Sequence, residues 1–531
     1  MWITDLGLDS TPSLPRGSGY LRARRVLSMD GADGDAVWWS DGVIQAVGRV
    51  EVLDRLVPGT VPVWELPTAL VTPGVIDGHT HFSLWAMGRQ RIQLAGARDR
   101  TEALRRVAEG IPVDGWVRGQ GWDANGWRDA PDRGALDRVH SVPVFLDSLD
   151  VHSAWVNSAA LRRAGITRDT PDPYGGRIVR DASGEPTGLL LERAVELVLA
   201  HLPPVAPGTL QAAVVDGIGE AHRLGITGVH DVEGLPAWAT WRGLARSGEL
   251  PLRVLFHPPV EALAQLVAEG WKSGTRAGPL TLGGVKLFLD GSLGSRTAWM
   301  LEPFEGSRDR GMPISDEGLA RLAVETAARS GISATVHAIG DAAVRRAIDL
   351  LAPLARVGIP HRIEHFQCVH PADLGRAAKA GIPVSMQPAH LLADIPLIDR
   401  HWGSRGERAY HFRSILAAGN RVVFGSDAPV ASLDPREGIF AALDRGSGDG
   451  AIRGWRAEQR IGFEEALRGY TVNAAWAAGA RDIGTLAPGM AADLVAWEVD
   501  PAADHADSGR AFRAGRAVLT VLAGRPVWQA G

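Results

Sequence analysis

The stretch Val71-Thr72-Pro73-Gly74-Val75-Ile76-Asp77-Gly78-His79-Thr80-His81 decides how the rest of the chain is read. An apolar run rich in β-branched residues ends in a glycine and two histidines one residue apart. The run predicts a buried strand. Side chains along a strand alternate with period two, so His79 and His81 share one face at its C-terminal end. Two imidazoles so placed can grip one metal ion. A bare His-x-His serves equally well as a solvated strand end, and the remainder of the chain has to choose between the two.

Outward from that strand, the middle of the chain alternates strand and helix. Strand-like runs at 225–231, 252–257, 284–289, 333–337, 361–365, 382–387 and 421–427 join 71–77 to make eight. Amphipathic stretches at 317–330 and 341–355 lie between some of them. Such an alternation predicts an α/β fold, a (β/α)8 TIM-like barrel over 71–484 with its active site at the C-terminal strand ends. About 150 residues separate the first two strands, far more than a βα connection needs. Residues 85–205 therefore read as an inserted subdomain over the barrel mouth, with a strand at 142–146 and a turn region at 174–188. Trp116, Trp122, Trp127 and Trp155 fall in it; they suit an ordinary core first and a bulky apolar substrate group second. Short β-like runs near both ends, within 1–70 and 485–531, predict one small composite β-sandwich.

Composition narrows the class. The 531 residues are 45% hydrophobic and 22% charged, with 56 basic against 61 acidic residues. That balance fits a globular enzyme acting on a small molecule, not a nucleic-acid binder. The single cysteine, Cys368, excludes an internal disulfide and reads as a buried thiol. Met1-Trp2-Ile3-Thr4-Asp5 lacks the basic and apolar regions of a signal peptide, and no apolar run is long enough to span a bilayer. The expectation is a cytoplasmic protein without a membrane partner; a homodimer is compatible with the sequence.

Six residues fall in or at the ends of the predicted strands: His79, His81, Lys286, His337, His365 and Asp427. Each alone has an ordinary reading. Lys286 could pair with a buried carboxylate, His337 and His365 could be satisfied core histidines, and Asp427 could cap a helix before Pro429. Six of them on one barrel are hard to explain as coincidence. The motifs that hold them are Pro73 to His81, Lys286-Leu287-Phe288-Leu289-Asp290-Gly291-Ser292, His337-Ala338-Ile339-Gly340-Asp341, His361-Arg362-Ile363-Glu364-His365 and Gly425-Ser426-Asp427-Ala428-Pro429. With Asn157-Ser158-Ala159-Ala160-Leu161 and Gly184-Glu185-Pro186-Thr187-Gly188, they show that the chain resembles the amidohydrolase superfamily, and within it the YtcJ-like (amidohydrolase 3) branch, over nearly its whole length. One departure stands out: the family's Asp-Gly-His before the asparagine-serine segment reads Asp150-Val151-His152 here.

The resemblance implies two divalent metal ions, read as zinc. His79, His81 and Asp427 would hold one ion, and His337 and His365 the other. Lys286, carboxylated by CO2, would bridge them; an ammonium would be repelled there, whereas a neutral buried lysine is a nucleophile. The expected reaction is hydrolysis of a non-peptide C–N bond in an N-acyl or N-formyl amide through a metal-bridging hydroxide, with Asp427 as the catalytic base. His152, Asp290, Ser292 and His390 are candidates for substrate binding, each as readily structural. Alternatives on the same scaffold are a deaminase or a lactone or ester hydrolase, and from another class a non-catalytic scaffold.

Overall fold

The computed structural model of the chain describes residues 11–446, 450–499 and 508–531. The signal-peptide reading at Met1 to Asp5 lies outside the described residues. Eight parallel strands occupy the eight expected places: β1 Val75–Thr80, β2 Ile226–Val232, β3 Arg253–His257, β4 Val285–Phe288, β5 Ala334–Ala338, β6 Arg362–His365, β7 Val384–Met386 and β8 Val422–Phe424. Their side chains are almost uniformly buried, the mark of strands covered on both faces. Helices lie between them, including Pro207–Arg223, Glu317–Arg329 and Asp341–Leu351. Asp316 starts the second by accepting the Leu319 N–H.

The hydrogen-bonded ladder runs as two five-stranded sheets and does not close into one. In the first, β1, β2 and β3 are joined by short strands at Leu280–Leu282 and Arg276–Ala277; the second runs β4 to β8 in order. Two seams bring the sheets together. At one, Lys286 N–H donates to Pro258 O at 2.8 Å. At the other, Asp427 N–H donates to His79 O at 2.7 Å and His81 N–H to Ala428 O at 2.9 Å. Glycine makes that second seam possible. A Cβ on Gly78 would stand 2.6 Å from Phe424 O, and one on Gly425 2.3 Å from His79 N. The candidate residues of β1 and β8 therefore meet because neither strand carries a side chain at its point of approach.

The stretch between β1 and β2 holds a six-stranded sheet. Its order is Gly176–Arg180, Pro186–Glu192, Ser153–Val156, Val144–Ser148, Val117–Trp122 and Ile92–Gln93. Trp116 and Phe145 centre one of its apolar clusters, and Trp122 and Trp155 the other. These tryptophans thus serve chiefly as core, as the commoner reading holds.

The two ends of the chain share one seven-stranded sheet, in which Val63–Pro73 lies between Gly19–Val26 and Leu494–Glu498. Leu21, Val71, Leu494 and Val521 pack in its core. The ladder makes this a single mixed sheet where two facing sheets were expected, because Val63–Pro73 pairs on both of its edges.

Candidate metal centre

The strand ends deliver the six predicted residues to one place. His79 sits near the end of β1 and His81 one residue beyond it, with ring centroids 5.7 Å apart. His365 ends β6, 5.0 Å from the His79 ring and 4.3 Å from that of His337 on β5. Asp427 lies three residues past β8, its Oδ1 3.4 Å from His79 Nε2 and 3.3 Å from His81 Nε2. The tightest group is His79, His365 and Asp427, whose ligand atoms all lie within 4.8 Å of one another. That trio crosses the division between two ions that the resemblance implies. His365 and Asp427 both take left-handed backbone, φ 71° and 58°. Such a conformation costs a non-glycine residue about 1–2 kcal/mol and tends to be kept where function needs it.

Whether these residues fit a metal can be judged from their polar atoms. His79 Nε2, His337 Nδ1, Lys286 Nζ and Asp427 Oδ1 are all buried without a hydrogen-bond partner. The contacts to Asp427 Oδ1 are close but lack hydrogen-bond geometry. Orphaned buried donors and acceptors are costly and rare; four converging in one place fit an ion that they would ligate. Imidazole and carboxylate are the donor set that zinc and related divalent metals take.

Electrostatics prepare the same atoms. Burial lowers the Lys286 ammonium to about 8, against the pull of Glu364 and Asp427, so a useful fraction is neutral amine near pH 7. Burial pushes His337 and His365 well below their ordinary value, helped by nearby imidazoles and, in His365, against the pull of Asp427, which keeps them neutral ligands. For Asp427 burial works the other way, but His79, His81 and His365 outweigh it and hold the carboxyl well below the usual range.

An outer layer orients the ligands. His79 Nδ1–H donates to Glu364 Oε2 at 2.5 Å, leaving Nε2 free to face the site. Glu364 is gripped at both oxygens by Arg362, which also donates to Gly78 O at 2.6 Å and to His230 Nδ1 at 2.9 Å. His365 Nδ1–H donates to Gln387 Oε1 at 2.9 Å. His337 is turned around: its Nε2–H donates to Gly291 O at 3.2 Å and its Nδ1 is the free nitrogen. Such partners fix tautomer and ring orientation. Glu364, Arg362 and Gln387 carry no role in the sequence reading. Two of them stand inside the quoted His361-to-His365 motif, and a carboxylate two residues from an arginine in an apolar strand is the signal that could have found them.

The centre opens into a cavity of about 880 Å³ whose walls come from the strand-end loops and from the insert. His152, Ser292 and His390 line it. His152 Nδ1–H donates to Glu192 at 2.8 Å, and its ring stands 5.4 Å from that of His337. Burial would lower its pKa, but Glu192 and Asp150 raise it to about 9. His390 Nε2 is 3.7 Å from Asp427 Oδ2. Ser292 Oγ donates to Asp150 at 2.6 Å, and Asp150 also receives the hydroxyls of Ser148 and Ser295. This cluster ties the insert to the loop after β4. Beside it, Val151 takes φ 60°, so the turn keeps a left-handed residue where the family carries glycine. Asp290 does not line the cavity. Its carboxylate accepts the backbone N–H groups of Ile339, Gly340 and Trp299 at 2.8–3.0 Å and so shapes the loops that carry His337.

Comparison with known proteins agrees with this geometry. The profile of the amidohydrolase family matches residues 66–528. YtcJ of Bacillus subtilis (strain 168), named as an amidohydrolase, is 32% identical over 493 residues, 88% of this chain and 91% of its own. An N-substituted formamide deformylase of Arthrobacter pascens is 29% identical over 512 residues, 90% and 92% of the two chains. The crystal structure of a metal-dependent hydrolase from Pyrococcus horikoshii superposes with a TM-score of 0.76 at 25% identity, covering 93% of this chain and 99% of that one.

Proposed function

The chain belongs to the amidohydrolase family and is a metal-dependent hydrolase; from that premise we propose that it cleaves the C–N bond of a small N-acyl or N-formyl amide. In this reading the two parallel sheets are the halves of a (β/α)8-type barrel, and the insert is the wall that selects the substrate. The observation that carries the proposal is the convergence of four histidines, Lys286 and Asp427, with four orphaned polar atoms among them, at a place where His365 and Asp427 open onto the cavity. The formamide deformylase, similar over 90% of this chain, supports an amide of that size.

His79, His81, His337, His365 and Asp427 would hold the metal, with Lys286 as carbamate bridging two ions. Two divalent ions, zinc in this reading, would supply Lewis acidity for the carbonyl and lower the pKa of the attacking water. The protein's own groups do the rest. Asp427, ionised and unpaired at Oδ1, takes the proton of the attacking water and passes it to the leaving nitrogen. His390, whose unpartnered Nε2 is 3.7 Å from the other oxygen, lines the same cavity and is placed to contact the substrate. Glu364 and Gln387 hold the imidazoles of His79 and His365 in the tautomer that leaves Nε2 free. The insert supplies one wall of the cavity, so a bound substrate meets protein and not bulk water on that side.

The test is metal quantification of the purified protein together with turnover on N-acyl amines, N-formyl amines and lactones. Two ions per chain and hydrolysis confined to amides support the reading. One ion with an unmodified Lys286, or activity on lactones alone, would replace it by the deaminase or the lactonase.

A further inference from the structure

The outer part of the cavity carries charges of both signs, and the two signs differ in what they touch. Its acidic groups are committed elsewhere: Asp150 to three serine hydroxyls, Asp394 to Tyr410 and Gln367, Asp172 to Arg180, and Glu437 to Arg513. Asp123 accepts both the backbone N–H and the side-chain amide of Asn125. Three arginines have no such commitment. Arg128 follows the insert strand Val117–Trp122, Arg177 lies on Gly176–Arg180, and Arg296 lies on the loop after β4. All three line the cavity and are exposed. Among the described residues their guanidinium groups make neither an ion pair nor a hydrogen bond. Three separate segments thus each bring a guanidinium group without a protein partner to the cavity that Asp427 and His365 also line. Between floor and rim lie Trp122 and Trp127, with ring centroids 6.5 Å apart, and the side chains of Leu189 and Leu191.

From this juxtaposition we infer that the substrate carries a carboxylate at the end remote from the scissile bond, joined to it by an apolar or aromatic body. The inference rests on the amide-hydrolase reading and adds the substrate's charge to it. A guanidinium fork matches a carboxylate and binds it with two parallel hydrogen bonds. A lone exposed arginine contributes little, but three meeting one anion in a cavity that sheds water on filling act together.

The probes are a pair of ketones that copy an N-benzylacetamide with the nitrogen replaced by CH2: 4-phenyl-2-butanone and its 4-carboxyphenyl analogue. Neither can be hydrolysed, so binding to the metal-loaded enzyme is read by calorimetry without reference to turnover. The acid is expected to bind about tenfold or more tightly than the neutral ketone at low salt, the scale of one charge-assisted contact. That preference should shrink as salt is raised towards 0.3 M, where screening is strong. A variant carrying Arg128→Ala, Arg177→Ala and Arg296→Ala should lose about tenfold more affinity for the acid than for the neutral ketone. Equal affinity of wild type for the two ketones, or an equal loss for both in the variant, overturns the inference. N-benzylacetamide and N-benzylformamide, assayed alongside for turnover, test the hydrolase reading separately.

Discussion

At the metal centre every candidate ligand but the partly exposed His81 is buried, and the partners that orient His79 and His365 are themselves buried: Glu364 for the one, Gln387 for the other. At the wall supplied by the insert the charges are exposed, and Arg128, Arg177 and Arg296 reach the cavity with nothing holding their ends. A fixed floor suits chemistry that every substrate of the site shares, because a ligand cage works only at set distances. A loose wall suits recognition, which can vary without disturbing that cage. Reaction and selectivity are thus carried by different stretches of chain. Changes at the floor should alter turnover or metal binding, whereas changes at the wall should alter which molecule is accepted.

The sharpest way to break this division is Asp427→Asn. It keeps the shape and removes the base, so kcat should fall by about 10²–10⁴-fold, the usual contribution of a general base. The comparison is made at saturating metal, with occupancy checked by elemental analysis, because Asp427 is also a candidate ligand. Near-normal turnover would remove Asp427 from that role and with it the functional meaning of the floor. Glu364→Gln tests the orienting layer. Loss of the charged acceptor for His79 should weaken metal affinity about 10–100-fold. Arg362, buried at 1% exposure, would be left without its counter-charge, so the melting temperature should drop as well. Unchanged metal affinity would mean that Glu364 serves Arg362 alone.

Asp150→Ala probes the join between floor and wall and should cost about 1–3 kcal/mol, the price of stranding buried hydroxyls. Burial opposes the Asp150 charge, but His152 and the serine hydroxyls win and lower its pKa. A depressed carboxyl stabilises fully above the unfolded value of about 3.9 and loses that contribution as pH falls through the folded one. The deficit of the variant, read by denaturant titration, should therefore narrow in acid. Smallest of all is Val151→Gly. Removing a left-handed β-branched residue relieves about 1–2 kcal/mol, offset in part by the 0.5–1 kcal/mol or so that glycine's freedom costs. A slight rise in melting temperature with unchanged kcat is expected; a fall would show that the valine side chain packs usefully.

The same division explains what the sequence showed beforehand. His79, His81, Lys286, His337, His365 and Asp427 could be read because each sits in a short apolar strand or just past its end, where period-two patterning and a motif specify position together. Glu364 could not be assigned, since its meaning is a contact with His79, 285 residues away. Asp290 looked like a substrate ligand because it follows Lys286 closely, but a carboxylate can as easily serve three backbone N–H groups on neighbouring loops. In the insert only the strand at 142–146 was foreseen of six. Of the others, Gly176–Arg180 and the start of Pro186–Glu192 fall in the stretch read as a turn region, Val117–Trp122 is broken by two glycines, and Ser153–Val156 and Ile92–Gln93 are too brief for a periodic signal.

The seven-stranded sheet has a consequence for biosynthesis. Its central member, Val63–Pro73, leads directly into β1, yet one of its two neighbours is Leu494–Glu498. While the ribosome is still making the intervening four hundred or so residues, that flank stays unzipped and able to pair with a stranger. Nascent chains stalled before residue 494 should therefore depend most on chaperones, and release of the final strands would end that exposure.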